Sequence, residues 1–171
     1  IGTADGKVLS RSLVDSSVQT DLMAMDDDTA TVRAVAIDDC GTLWAITDCL
    51  LHHMTVSQSS WTGTQLCTND VFEVPTDLLI FSDKIYVATA ENGMIVLDYN
   101  TTSDSTGISV SIGTYTYWNT GNYLTSNSIT QLEKLNSNLL IATIGGGVNR
   151  YDMVADTWLA TWSTNNWLSS N

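Results

Sequence analysis

The feature that most constrains this chain is an internal repeat. "YWNTGNYLTSN" (117–127) lines up with "TWSTNNWLSSN" (161–171) at an offset of 44 residues. Trp118 falls on Trp162, Thr120 on Thr164, Asn122 on Asn166, Leu124 on Leu168, Ser126 on Ser170 and Asn127 on Asn171, while Tyr123 meets Trp167. A second pattern, an apolar pair, a small residue and then threonine, recurs in "IGTADGKV", "LWAITDCL", "IYVATAENGMIVLDY" and "LIATIGGGVNRYD". Its anchor threonines, Thr3, Thr47, Thr89 and Thr143, are spaced by 44, 42 and 54 residues. A chain with this period builds one supersecondary unit several times. It stacks the copies to bury faces that no single copy can cover.

The content of each repeat identifies the unit. Segments of five to eight residues rich in Val, Ile, Thr, Tyr and Trp alternate with clusters of Asp, Asn, Ser and Gly, and Pro75 is the only proline. About four strands per repeat of this length is the signature of a propeller blade. The expectation is an all-β propeller segment of about four blades, each of four antiparallel strands, in a single unit over 1–171. The blades fall roughly at 1–28, 29–70, 71–120 and 121–171. The last reads "SITQLEKL", "LLIAT", "GVNRYD" and "TWLATW" from inside to outside. Gly145, Gly146 and Gly147 turn the chain between its second and third strands. The second blade reads "ATVRAVAI", "TLWAIT", "LLHHMTVS" and "SWTGTQL", and the third "DLLIFS", "KIYVATA", "GMIVLDY" and "ISVSIGTYTY". The first lacks an innermost strand; it starts inside a second strand at Ile1 and supplies "KVLSRSLV" and an outer strand near "SVQTDLMAM". Since the chain starts at Ile1 and stops where a further innermost strand would follow, it is read as a piece of a larger protein.

Composition excludes some function classes. The net charge is −13, from 19 acidic and only 6 Lys and Arg residues, so no basic patch forms to hold nucleic acid or an anionic membrane. No apolar run reaches the length of a membrane-spanning helix. Cys40, Cys49 and Cys67 carry no Cys-x-x-Cys spacing. A Cys40–Cys49 disulfide requires neighbouring strands, and three free, mostly buried thiols is the favoured reading.

At "DDCGTLWAITD" and "LLIATIGGGVNRYD" the chain resembles the two-component-regulator propeller repeat of the WD40-like propeller superfamily. Gly41, Leu43, Trp44 and Thr47 match its pattern in one repeat. Thr143, Gly146, Gly147, Arg150, Tyr151 and Asp152 match in another, and Thr89, Gly93 and Asp98 match in part. The resemblance implies a sensor or binding module in an extracellular or periplasmic setting. "DDCGTLW" is also similar to the Asp-box of sialidase-type propellers through Asp39, Gly41 and Trp44, a motif that is structural in those enzymes.

Catalytic constellations are not apparent. Arg11, Arg33 and Arg150 occupy different blade positions and cannot cluster on a carboxylate. His52 and His53 are adjacent, so on a strand they face opposite ways. The one arrangement that suggests a ligand is acidic. Asp5, Asp48 and Glu91 lie one or two residues after their anchor threonines, at loops that a propeller gathers around its axis. Converging, they would form part of a ring suited to a hard cation such as Ca²⁺, although solvated turn acids are the more ordinary reading, as they are for "DDD" at 26–28. The tryptophans are expected between blades rather than on a sugar-binding surface. The reading is therefore a non-catalytic binding or sensing propeller for a small-molecule or glycan ligand. Part of a glycan-processing enzyme and a structural repeat array of a surface protein are the alternatives. Because open blade ends are apolar, a homodimer closing an eight-bladed ring is expected.

Overall fold

The structure, a computed structural model, describes residues 4, 7–11, 19–24, 31–48, 50–55, 61–66, 74–104, 107–166 and 168–169. Among these there is no helix, and no segment forms a helix long and apolar enough to cross a membrane. β1 (Lys7–Arg11) and β2 (Gln19–Ala24) pair antiparallel. Three four-stranded antiparallel meanders follow. Blade 2 holds β3 (Ala34–Ile37), β4 (Leu43–Ile46), β5 (Leu50–Met54) and β6 (Thr62–Gln65). Blade 3 holds β7 (Pro75–Phe81), β8 (Lys84–Thr89), β9 (Met94–Asp104) and β10 (Gly107–Trp118). Blade 4 holds β11 (Ile129–Leu135), β12 (Asn138–Thr143), β13 (Gly147–Asp152) and β14 (Thr157–Trp162).

Within the described residues the expected strands are present, with shifts at their ends; the strand expected at Ile1 lies outside the described residues. β3 begins at Ala34 instead of Ala30, and β5 stops at Met54. The largest departure is the β9–β10 hairpin. It runs on past Tyr99 to Asp104 because β-branched Thr101 and Thr102 and the alternating "ISVSI" favour continued pairing. Cys40 is exposed and free, which corrects the expectation of buried thiols for that residue. It sits in the β3–β4 turn, where no neighbour covers it. Cys49 and Cys67 lie outside the described residues.

The blades stack side by side about a common axis, with β3 touching β7 and β7 touching β11. Period-two alternation of strand side chains explains the stacking. On β8, Ile85 and Val87 point to blade 2, where they meet Trp44, Ile46 and Leu51. Tyr86 and Ala88 point the other way and meet Ile129, Leu132, Leu139 and Ile141 of blade 4. β8 is therefore buried on both faces. Each fully buried aliphatic side chain there contributes about 1.5–3 kcal/mol. A smaller cluster, Val8, Val32 and Ala45 with Trp61 against it, joins β1 to blade 2. Aromatic residues seal the interface of blades 3 and 4. Trp118 lies edge-on to Tyr151 and Trp158 at 4.7 and 4.9 Å, and Tyr123 stacks flat on Trp158 at 5.4 Å. Trp44 and Trp118 are buried and Trp61 and Trp158 half-buried between blades, as expected, whereas Trp162 is half-buried on the outer face of blade 4. Trp167 lies outside the described residues.

Candidate binding face

Thr3 lies outside the described residues; in blades 2, 3 and 4 the recurrent threonine closes the turn between the second and third strands. Its hydroxyl donates to the carbonyl of Gly93 from Thr89 (2.8 Å), of Gly147 from Thr143 (2.9 Å) and of Leu50 from Thr47 (3.3 Å). All three threonines are buried. Gly93 and Gly147 sit at φ 82°, and a Cβ there would collide with the carbonyls of Trp118 and Trp162 respectively. This leaves glycine as the residue that fits.

These turns meet the linkers between blades on one face. The Ala90 amide donates to Val74, the Gly93 amide to Asn127 and the Ile144 amide to Ser128, each to the backbone carbonyl. Thr125 Oγ1 donates to the Gly146 carbonyl at 2.9 Å. Asn149 latches the same linker from inside. Its Nδ2 donates to Thr125 Oγ1 at 2.8 Å, and its Oδ1 accepts from the Thr125 amide at 3.1 Å.

The linker itself repeats. Asn122 Oδ1 accepts from the Asn119 amide at 2.8 Å, and its Nδ2 donates to the Tyr117 carbonyl at 2.8 Å. Asn166 does the same with the Ser163 amide at 2.6 Å and the Thr161 carbonyl at 2.8 Å. The offset of 44 residues seen in the sequence is thus a clasp that sets how the chain leaves each blade.

The face exposes Asp48, Glu91, Ile144 and Gly145. Of the three acids expected to converge, Asp48 and Glu91 occupy corresponding turns of adjacent blades, and Asp5 lies outside the described residues. Asp48 Oδ1 is held by Arg33 Nε at 2.6 Å, with both side chains substantially exposed. Among the described residues no three His, Cys, Asp or Glu side chains lie close enough to hold a metal ion together. The acidic run 26–28 lies outside the described residues.

The Asp-box-like turn uses a different acid from the one expected. Asp38, not Asp39, organises it. Asp38 Oδ1 accepts from the amides of Thr42 (2.8 Å) and Cys40 (3.0 Å), and Oδ2 accepts from Trp44 Nε1 (3.1 Å) and the Tyr99 hydroxyl (3.3 Å). The strand period decides between the two acids. Ala34 and Ala36 point inward and Val35 and Ile37 outward, so Asp38 continues the inward set and Asp39 is exposed. Burial and the neighbouring Asp38 push the Tyr99 hydroxyl pKa well above its usual value. His53 is buried with its ring 5.3 Å from that of Trp44, and its Nδ1 has no hydrogen-bond partner. Burial lowers its pKa. At the outer rim, between blades 2 and 3, a cavity of about 160 Å³ is floored by Ile95, Leu97 and Ile112 and walled by Tyr115 and Tyr117.

No protein-family model matches the chain, and no curated protein matches it. Solved structures do. The WD40 domain of Pan2 from Neurospora crassa is similar over 94% of this chain and 44% of its own, at 16% identity and a TM-score of 0.64. The computationally designed Ika8 protein matches over 94% and 44% at 14% identity and a TM-score of 0.56. The designed Ika4 protein matches over 89% and 82% at 13% identity and a TM-score of 0.53. The chain thus spans less than half the length of the first two. The propeller fold read from the repeats is the fold these structures share with it.

Proposed function

We propose that this chain is part of a non-catalytic binding propeller whose ligand site is the face formed by the β4–β5, β8–β9 and β12–β13 turns and the inter-blade linkers. The observation that carries the reading is the division of labour among polar groups. Buried Asp38, Thr89, Thr143 and Asn149 are engaged in holding turns and blades together. Glu91 on this face is exposed, where a ligand can reach it. The extracellular or periplasmic setting rests on the resemblance of the repeats to two-component-regulator propellers.

Calcium is one ligand to test, and the Asp48–Arg33 pair gives the test its form. A cation drawing on Asp5, Asp48 and Glu91 has to displace Arg33, so Arg33→Gln should enlarge any rise in melting temperature on adding millimolar calcium. An equal response, or none, assigns these acids to solvated turns. For the wider reading, backbone amide spectra are recorded while calcium, oligosaccharide and amino-acid mixtures are titrated in. Saturable shifts confined to Glu91, Asn92, Thr125 and Gly145 are expected. Shifts centred on the opposite turns at Ser82–Asp83 and Asn136–Ser137, or hydrolysis of an added glycan, would overturn it.

A further inference from the structure

We propose that the cavity at the outer rim between blades 2 and 3 is a binding site for a small neutral aromatic molecule of one or two fused rings. The internal repeat supplies the template. In blade 4, Ala142 pairs with Val148 and Val148 with Trp162; in blade 3, Ala88 pairs with Met94 and Met94 with Trp118. The same ladder in blade 2 runs from Ile46 through Leu51 to Thr64. Thr64 therefore stands where the other two blades place a tryptophan. The facing blade corresponds as well. Trp118 lies edge-on to Tyr151 and Trp158 of blade 4, at 4.7 and 4.9 Å. Leu97 and Tyr115 of blade 3 hold the matching positions. Ile85 pairs with Leu97 and Leu97 with Tyr115, as Leu139 pairs with Tyr151 and Tyr151 with Trp158. Both line the cavity together with Thr64. The interface of blades 2 and 3 thus keeps the two walls of an aromatic slot and has a threonine in place of the ring.

Size and chemistry define the occupant. The cavity of about 160 Å³ is close to the roughly 150 Å³ that accepts benzene in an engineered protein core. Among the described residues no charged side chain lines it, and hydroxyls enter from Thr64, Tyr115 and Tyr117. A ring fits edge-on to Tyr115, the arrangement that aromatic pairs prefer. One N–H or hydroxyl on the ring finds an oxygen there, whereas an ionised group would lose its water without a counter-charge. A β-bulge aims the tyrosines at the cavity. Asp98 of β9 faces both Gly113 and Thr114, so Tyr115 and Tyr117 share the face of Ile112 instead of the opposite one. Thr114 Oγ1 donates to Asp98 Oδ2 at 3.0 Å and Lys84 Nζ to Asp98 Oδ1 at 2.6 Å, which braces the bulge. Tyr115 is itself exposed, which gives the ring a path from solvent.

The test titrates indole, phenol and cyclohexanol into the full chain and follows its amide and methyl resonances. Indole and phenol should shift Leu66, Ile95, Leu97 and Ile112 saturably, with Kd between about 10 μM and 1 mM. Cyclohexanol should bind about two- to tenfold more weakly, the range that an aromatic pair contributes. Thr64→Trp, which gives blade 2 the ring of blades 3 and 4, should abolish binding. Should it fail to fold, Tyr115→Ala, at an exposed position, decides alone, with an expected loss of at least about fivefold in affinity. No saturable shift, equal binding of cyclohexanol, or indole binding untouched by a folded Thr64→Trp or by Tyr115→Ala would each overturn the proposal. The turn-face reading is measured at Glu91, Asn92, Thr125 and Gly145, and it stands or falls separately.

Discussion

Asp38 shows how much a single side chain carries in this fold. It is buried, takes four donors, and through the Tyr99 hydroxyl ties blade 2 to blade 3. Removing it strands the Thr42 amide and the Trp44 indole N–H in the interior, each costing about 1–3 kcal/mol when unsatisfied. Asp38→Ala should therefore lower the melting temperature by about 10 °C or more, a shift of about 2–4 °C per kcal/mol being usual at this size. Asp39→Ala, one residue on and exposed, should leave it nearly unchanged. Equal effects in a thermal denaturation series would refute this account of the turn. His53 gives a second prediction, in pH. An unfolded histidine takes up its proton near its ordinary value of 6.5, whereas burial holds the folded one to a lower pH. The folded state then binds fewer protons between the two values. This contribution to stability is complete above pH 6.5 and is lost as pH falls through the folded pKa. Asp98, held low chiefly by its hydrogen bond from Lys84, and Asp152, held low by the Ala155 and Val154 amides, act in the same sense but only in the carboxylate range, below about pH 4. The melting temperature should thus begin to fall as pH drops below about 6.5, ahead of the carboxylate range. His53→Phe, which keeps a ring against Trp44, should remove that early limb. A parent curve flat down to the carboxylate range would contradict the assignment.

At the scale of elements, the paired clasps make a comparison that needs no outside reference. Asn122 and Asn166 make the same two hydrogen bonds. Behind Asn122, however, the chain delivers Leu124 into the interface of blades 3 and 4, while Leu168 is only half-buried. Asn122→Ala should cost about 1–2 kcal/mol in denaturant unfolding and Asn166→Ala clearly less, since only the Asn122 clasp also fixes a buried leucine, Leu124, in the interface of blades 3 and 4. Comparable losses at low protein concentration would mean that the clasp acts only locally. What the sequence made legible follows from the same geometry. Repetition gave the blades, and period-two patterning with turn residues gave the strands, because those signals are local and recur. The roles of Asp38 and Asn149 were harder to see. Asn149 stands at an inward position of β13, which is a cue that a partner exists, yet that partner, Thr125, lies 24 residues away across a linker. The choice between Asp38 and Asp39 needed to know which face of β3 is inward, and the D-x-G-x-x-W spacing carries no such information. The acids of the turn face were legible as positions, but the Asp48–Arg33 pair joins a turn to a linker and depends on how the blade closes.

For the whole molecule, stability in a stacked array is approximately the sum of weak individual blades and strong nearest-neighbour interfaces. Blade 3 is the blade with a four-stranded neighbour on each side, and β8 is buried along both faces. Blade 4 has a neighbour on one face only, and its outer strand β14 is half-buried to exposed. Local opening should follow that order, since the free energy of opening a segment scales with the apolar contacts it must break. Amide hydrogen exchange on the dilute chain should therefore be slowest in β8 and the first half of β9, intermediate in β12 and fastest in β14. Trp118→Ala removes the central ring of the blade 3–4 interface at a cost of about 3–5 kcal/mol. It should accelerate exchange throughout blade 4 while sparing β4 and β5, whose contacts to blade 3 run through Trp44, Leu51 and Ile85. Uniform acceleration across all blades would mean that the chain opens as one cooperative unit instead of blade by blade. Protection greatest in β14 would refute this ordering.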